Sequence, residues 1–292
     1  YLVYNWPKIF LRNQVQKDFG SISLMKGTRN CMKWLDSCLI AISMYSKIPV
    51  PQVEWTKEKM NHAMCFFPLV GAVQGCLLGL WLVIAAQFDL SVGIRFLWAS
   101  AIPFLVTGGI HMDGFMDTMD AVHSYGDRTK KLEILKDPHL GAFAVICAAV
   151  YLLLYTGSMY EFCKNAQGKA IFYPVLFLSS ERVFSGLSVI MLPSAKNNGL
   201  AATFSQASEK KLDKKILILL LALLAVAAFG IWGMQGIKIY GVCLVFQGAL
   251  FAWYDKWSKK NFGGITGDLA GFFLQTEELG CLTAVAFLLK ML

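Results

Sequence analysis

The chain is predicted to be an all-α, polytopic membrane helix bundle, and three observations carry that expectation. Of 292 residues, 56% are hydrophobic and the mean hydropathy is +0.52. Only 16% are charged, well below the roughly 25% usual in soluble globular domains. The basic residues gather in alternate connections between apolar stretches, which is the pattern of retention on one side of a bilayer. That pattern accounts for the net charge of +8 without nucleic acid as a partner. The eight cysteines are scattered through apolar segments and form no C-x-x-C pair, so they read as small buried hydrophobes rather than as a zinc or redox site.

Residues 1–30 mix Lys8, Arg12, Lys17, Lys26 and Arg29 with scattered aromatics. They lack the continuous apolar region and small-residue cleavage site of a signal peptide. We expect an N-terminal extension there, peripheral or disordered, followed by one membrane-embedded domain over residues 31–292. Residues 31–47 form an apolar helix with charges at its start, expected to lie at the interface and to end at Pro49 and Pro51. Spans about seven in number follow near 64–86, 92–110, 139–160, 170–193, 215–233, 236–253 and 269–290. Each is long enough to cross roughly 30 Å of hydrocarbon at 1.5 Å per residue.

The basic groups are Lys57 and Lys59; Arg128, Lys130, Lys131 and Lys136; Lys196, Lys210, Lys211, Lys214 and Lys215; and Lys256, Lys259 and Lys260. The opposite connections carry only Lys164, Lys169 and Lys238. The positive-inside rule therefore predicts a multi-pass protein of the inner (plasma) membrane with the basic loops in the cytoplasm. The composition is also compatible with a homo-oligomer.

Directly after the second span stands Gly108-Gly-Ile-His-Met-Asp-Gly-Phe-Met-Asp-Thr-Met-Asp120. At about 100° per residue, Asp113, Asp117 and Asp120 fall on one helical face. Three carboxylates that close repel each other, and desolvation beside a bilayer adds to the cost, so a divalent cation or protons must neutralise them. Mg²⁺ is the natural candidate, being a hard cation that combines one or two carboxylates with phosphate oxygens. The bland alternative is a solvated helix start whose acidic residues complement the dipole. His111, two residues before Asp113, is either a general base or a structural histidine. The following connection holds Arg128, Lys131 and Lys136, cations suited to a diphosphate substrate beside a metal, or else ordinary positive-inside residues.

Near the C-terminus, Asp268, Gly271, Gln275 and Glu278 share one helical side and carry a polar stripe into an apolar segment. Acidic side chains there need a cavity, a metal or a cation. Gly267 and Gly271 have the small-xxx-small spacing of close helix packing. Glu181 and Arg182 interrupt the span between residues 170 and 193; the arginine either binds substrate phosphate or pairs with an acidic neighbour.

At these residues the sequence resembles the adenosylcobinamide-GDP ribazoletransferase (cobalamin synthase) family. Matching stretches are Ser46-Lys-Ile-Pro-Val-Pro51, Phe66-Phe-Pro-Leu-Val-Gly71, the aspartate run 108–120, Lys131-Leu-Glu-Ile-Leu-Lys-Asp137 and Gly263-Gly-Ile-Thr-Gly-Asp268. The resemblance implies an integral-membrane, Mg²⁺-dependent transferase. A ribose hydroxyl of α-ribazole, or of its 5′-phosphate, would attack the phosphoryl group of adenosylcobinamide-GDP and release GMP. It further implies that Asp113, Asp117, Asp120 and Asp268 hold Mg²⁺, that Arg128, Lys131, Lys136 and Arg182 neutralise phosphate oxygens, and that His111 or Glu278 receives the hydroxyl proton. The chain departs from the family pattern at Glu181 (commonly Ser), at Ser194-Ala195-Lys196 (commonly aromatic-Ala-Arg), which bears on nucleoside contacts around Lys196, and at Ala121 (commonly Gly). A CDP-alcohol phosphotransferase would also place aspartates and Mg²⁺ at the membrane surface, but its D-G-x-x-A-R layout is absent, Met116-Asp117 standing in place of Ala-Arg. A transporter could use the same intramembrane charges as an ion path.

Overall fold

A computed structural model describes residues 26–196 and 198–291. Contacts divide the chain into two compact units, residues 1–32 and residues 33–292. The expectation of a peripheral or disordered extension lies largely outside the described residues, which begin within that extension at the first helix, α1 (Lys26–Tyr45).

Nine further α-helices follow: α2 (Ala63–Gln87), α3 (Val92–Thr107), α4 (Ile110–His123), α5 (Arg128–Ile134), α6 (Ala142–Asn165), α7 (Tyr173–Met191), α8 (Leu200–Ala207), α9 (Lys210–Phe262) and α10 (Gly267–Met291). A short 3₁₀ turn, Gly168–Phe172, leads into α7. The described residues contain no strand; a single parallel bridge joins Ser194 to Ile265. The all-α membrane bundle is thus the observed architecture. Among the described residues, and with α9 counted once, five helices are long and apolar enough to cross a bilayer, or six with α3 and α4 counted as one broken span.

One difference from the sequence expectation has a clear cause. The expected span 92–110 ends at Thr107, because Gly108 and Gly109 take left-handed φ values of 66° and 77°. Only glycine adopts that region at little cost, and α4 leaves α3 at 90°. The expected spans 215–233 and 236–253 are both present as the two parts of α9, which breaks at Gly233 (φ 63°, ψ −144°). The Tyr240 hydroxyl donates to the Leu221 carbonyl at 3.1 Å across 19 residues, which would lie about 28 Å apart on a straight helix. The chain therefore reverses at Gly233 into two antiparallel arms, 210–232 and 234–262.

Helix α7 is the buried centre. Gly71 and Gly75 on α2 let its backbone touch that of α7 at Leu178 and Val175, and α9 and α10 cover the other sides. In α1, Ile40 and Ala41 are fully buried. Ser37 donates to the Lys59 carbonyl at 2.6 Å, and Trp34 stacks on His62 at 4.0 Å. His62 in turn bonds through Nδ1 to the buried carboxylate of Asp213 at 2.6 Å, which fastens this end of the bundle to the start of α9.

Candidate active site

The site is built where α4 crosses α10. A Cβ on Gly114 would stand 2.7 Å from the Asp268 carbonyl oxygen, and one on Gly271 would stand 2.8 Å from the His111 carbonyl oxygen. The two backbones therefore touch, which only residues without side chains permit. This crossing brings Asp268, in the first turn of α10, beside Asp113 and Asp117: Asp117 feels the charge of Asp113 and Asp268, and Asp268 that of Asp113. The small-residue packing expected of Gly271 is present; Gly267, by contrast, faces open space.

The turn before α10 is also fixed by backbone contact. Gly264, at φ 155°, lies against the backbone of Pro193 and Ala195. Ala195 N–H donates to the Ile265 carbonyl at 2.8 Å, and Ile265 N–H donates to the Pro193 carbonyl at 2.9 Å. This bridge delivers Lys196 to Asp268, with Lys136 close enough to repel it. Burial pushes the Lys196 ammonium below the ordinary lysine range, opposed by Asp268 and reinforced by Lys136. Thr266 caps α10, its hydroxyl accepting from Leu269 N–H at 3.2 Å.

Asp120 is engaged differently. Its two oxygens accept from Gly141 N–H at 2.6 Å and Ala144 N–H at 2.8 Å, so it caps α6, whose own N-cap residue is the side-chain-less Gly141. An acidic side chain at a helix N-terminus is stabilising. Asp113 is exposed, Asp117 is half-buried, and neither accepts a hydrogen bond from any described residue.

Among the described residues, no three His, Cys, Asp or Glu side chains are gathered tightly enough to ligate one ion by themselves. Mg²⁺ does not require that, since it usually takes one or two carboxylates with phosphate and water. Asp113 and Asp117 offer all-oxygen, unpartnered donors next to Asp268, and this set fits a hard divalent cation.

The expected cations separate into two groups. Lys196 lies with Asp268, and Lys136 lies near Lys196. Arg128 Nε donates to the Lys260 carbonyl at 2.9 Å, and Lys131 Nζ donates to Asn261 Oδ1 at 2.9 Å, so both hold α5 against the C-terminal end of α9. Asp137, on the connection before α6, is held below the usual carboxylate range by His139, whose backbone N–H and Nδ1 donate to it at 2.9 and 2.7 Å.

The remaining expected residues lie deeper. Arg182 is fully buried in α7; Nη1 donates to Glu181 and to the Leu178 carbonyl, and Nη2 donates to Gln74. Glu278 accepts from the Tyr155 hydroxyl at 2.8 Å and lies about 15 Å of helical rise beyond Asp268. The polar stripe on α10 faces protein, not lipid: Gly271, Gln275 and Glu278 are all buried. His111 is buried between Tyr45 and Phe67, with ring centroids 6.1 and 5.8 Å away, and its Nε2 has no partner.

One cation absent from the expected set is Lys47. Its side-chain stem lies across Gly108, where a Cβ would collide with it. Its ammonium has no ion-pair or hydrogen-bond partner among the described residues, and it sits at the bend leading into the aspartate helix. The sequence signal was a lone exposed cation between the end of α1 and Pro49, within a stretch read above only for its resemblance.

Comparison with known proteins matches residues 37–286 to the family model described as cobalamin-5-phosphate synthase. The chain belongs to the cobalamin-5-phosphate synthase family. Its relatives include a protein of Lachnoclostridium phytofermentans, 44% identical over 249 residues, covering 85% of this chain and 92% of the relative. A second, from Clostridium botulinum (strain Alaska E43), is 33% identical, covering 85% of this chain and 96% of the relative. A third, from Carboxydothermus hydrogenoformans, is 32% identical, covering 87% and 97%. All three bear the name adenosylcobinamide-GDP ribazoletransferase. No solved structure matches. Family membership makes this chain an enzyme of the transferase class, embedded in a membrane by several spans. The matched region includes both sides of the α4–α10 crossing and the bridge that carries Lys196.

Proposed function

We propose that the chain assembles the nucleotide loop of cobalamin by transferring the adenosylcobinamide phosphate group of adenosylcobinamide-GDP to α-ribazole or its 5′-phosphate, releasing GMP. The observation that carries this reading is the backbone-to-backbone crossing at Gly114 and Gly271, which gathers Asp113, Asp117 and Asp268, with Lys196 near Asp268 and Lys136 near Lys196. In the proposed reaction the ribose hydroxyl oxygen forms a bond to the phosphorus nearer the corrinoid. The anhydride bond to GMP breaks, and the hydroxyl proton passes to a base or to water.

Asp113, Asp117 and Asp268 would hold Mg²⁺, with Asp120 steadying α4 from its far end. The bound ion would supply neutralisation of the diphosphate charge. Lys196, Lys136 and Lys47 would hold the remaining phosphate oxygens, since catalysis of phosphoryl transfer is chiefly positioning and electrostatics. Two roles are left with the deeper and outer groups: His111 or Glu278 as the eventual proton acceptor, and Arg128 and Lys131 as the fasteners of the loop that carries Lys136. The distribution of basic loops supports a site on the cytoplasmic side of the inner membrane.

Protein reconstituted in liposomes with adenosylcobinamide-GDP, α-ribazole and Mg²⁺ should release GMP and form the looped corrinoid. Asp113→Asn should lower turnover by roughly 10²–10³-fold while leaving thermal unfolding unchanged. Wild-type protein that is inactive here yet active on a CDP-lipid would refute the assignment.

A further inference from the structure

The opposite end of the bundle holds a feature that the transferase reading does not use. A cavity of about 560 Å³ opens between the end of α2, the start of α3, the end of α6 and the 3₁₀ turn, walled by Leu82, Val83, Ala86 and Ile171, with Arg95 and Gln167 at its polar side. Arg95 and the aspartates lie at opposite ends of α3, separated by about 20 Å of helical rise.

The Arg95 guanidinium is poorly satisfied. Its Nε is buried with no hydrogen-bond partner. Its one carboxylate neighbour, Asp89, is 3.8 Å away and fully exposed, a pairing that water and salt screen effectively. Gln167 makes no side-chain hydrogen bond among the described residues either. A planar guanidinium with free donors matches a phosphate group.

The aromatic residues around Arg95 point to a lipid as the phosphate's source. Trp81 donates to the Arg95 carbonyl at 3.0 Å and packs against Trp98, centroids 6.0 Å apart. Trp98 and Phe88 are exposed on the outside of the bundle. A pair of neighbouring tryptophans near a span's end is the kind of anchor found at the headgroup level of a bilayer. The cavity's apolar wall continues from there into the lipid-facing side of α2, where Ile84 is exposed, as acyl chains require.

We propose that this cavity binds one phospholipid of the non-cytoplasmic leaflet, its phosphate held by Arg95 and its chains lying along Leu82, Val83 and Ala86. Native mass spectrometry of delipidated, detergent-solubilised protein tests this with three probes: phosphatidylglycerol, diacylglycerol and inorganic phosphate. Wild-type protein should retain one phosphatidylglycerol and neither of the others. Arg95→Gln should weaken that binding about tenfold, and Asp89→Asn, by removing the competing carboxylate, should strengthen it severalfold. Ala86→Trp, which fills the cavity but keeps the charge, should abolish it and carries the test if Arg95→Gln does not fold. Equal retention of diacylglycerol, equal protection by inorganic phosphate, or unchanged lipid binding in both Arg95→Gln and Ala86→Trp would overturn the proposal.

Discussion

Replacing Gly114 with alanine isolates the geometry of the site from its chemical inventory, because every carboxylate and cation is kept. The added methyl would sit 2.7 Å from the Asp268 carbonyl oxygen and 2.9 Å from its Cα, both backbone atoms that cannot swing aside. Restoring an ordinary contact of roughly 3.5 Å requires α4 and α10 to separate by about 0.8 Å. Overpacking of this kind costs about 1–3 kcal/mol, offset by about 1 kcal/mol from the better helix propensity of alanine. The net loss of stability is therefore about 0–2 kcal/mol, and the protein should fold. Catalysis is more sensitive, because a displacement near 1 Å at a reacting centre costs about 10²-fold. We therefore expect GMP release to fall by roughly 10²-fold at saturating substrate, with a weaker apparent affinity for Mg²⁺. Gly157→Ala is the control: it stands in α6 with nothing within 4 Å of its added methyl, and it should leave turnover unchanged. If Gly114→Ala kept a rate within threefold of Gly157→Ala, the crossing would not be what positions the aspartates.

Other substitutions separate the roles of neighbouring groups. Asp120→Ala removes the cap on α6 and should lower stability by about 0.5–2 kcal/mol, seen as a lower Tm; loss of Mg²⁺ affinity at unchanged Tm would assign it to the metal instead. Lys47→Met should raise the KM for adenosylcobinamide-GDP by about tenfold or more with little change in kcat, and an unchanged KM would remove it from the phosphate set. Lys196 has its ammonium pushed down by burial, so activity that needs its charge should decline as pH rises through a value below the ordinary lysine range of about 10.4. Lys196→Arg, which stays charged, should move that alkaline limb of kcat/KM upward; an unmoved limb would mean that another group titrates there.

The parts of the molecule legible in the sequence were those governed by local rules. Span length follows from apolar runs, and the shared face of Asp113 and Asp117 follows from helical period alone. The bend at Gly108 and Gly109 was less legible, because a glycine pair within an apolar stretch is equally compatible with a continuous helix until its φ values are known. Asp120 obeys the same period as the other two aspartates, yet its oxygens go to Gly141 and Ala144. A cap supplied from 21 residues away leaves no local signature. Arg128 and Lys131 fit a phosphate-binding run by composition; their actual partners, Lys260 and Asn261, became neighbours only through tertiary packing.

The buried ionic groups show why the deep charges and the surface aspartates are best regarded as separate devices. An isolated guanidinium within a membrane bundle is costly, and removal of one member of a buried pair typically costs about 3–5 kcal/mol because the other charge is left uncompensated. Arg182 on α7 is compensated by Glu181 beside it and by Gln74 on α2, and Glu278 on α10 is tied to Tyr155 on α6. These contacts link α7 to α2, and α10 to α6. They fix the lower part of α10, and with it the direction from which its first turn presents Asp268. The aspartates at the crossing face the opposite requirement, since Asp113 and Asp117 gain nothing from protein donors. Like charges held close without such donors raise the energy of the empty site and favour a cation or cationic complex that neutralises them. Buried ionic groups that tie helices together, beneath surface carboxylates that lack protein donors, are the arrangement expected of a site that binds a metal–diphosphate complex and must release it again.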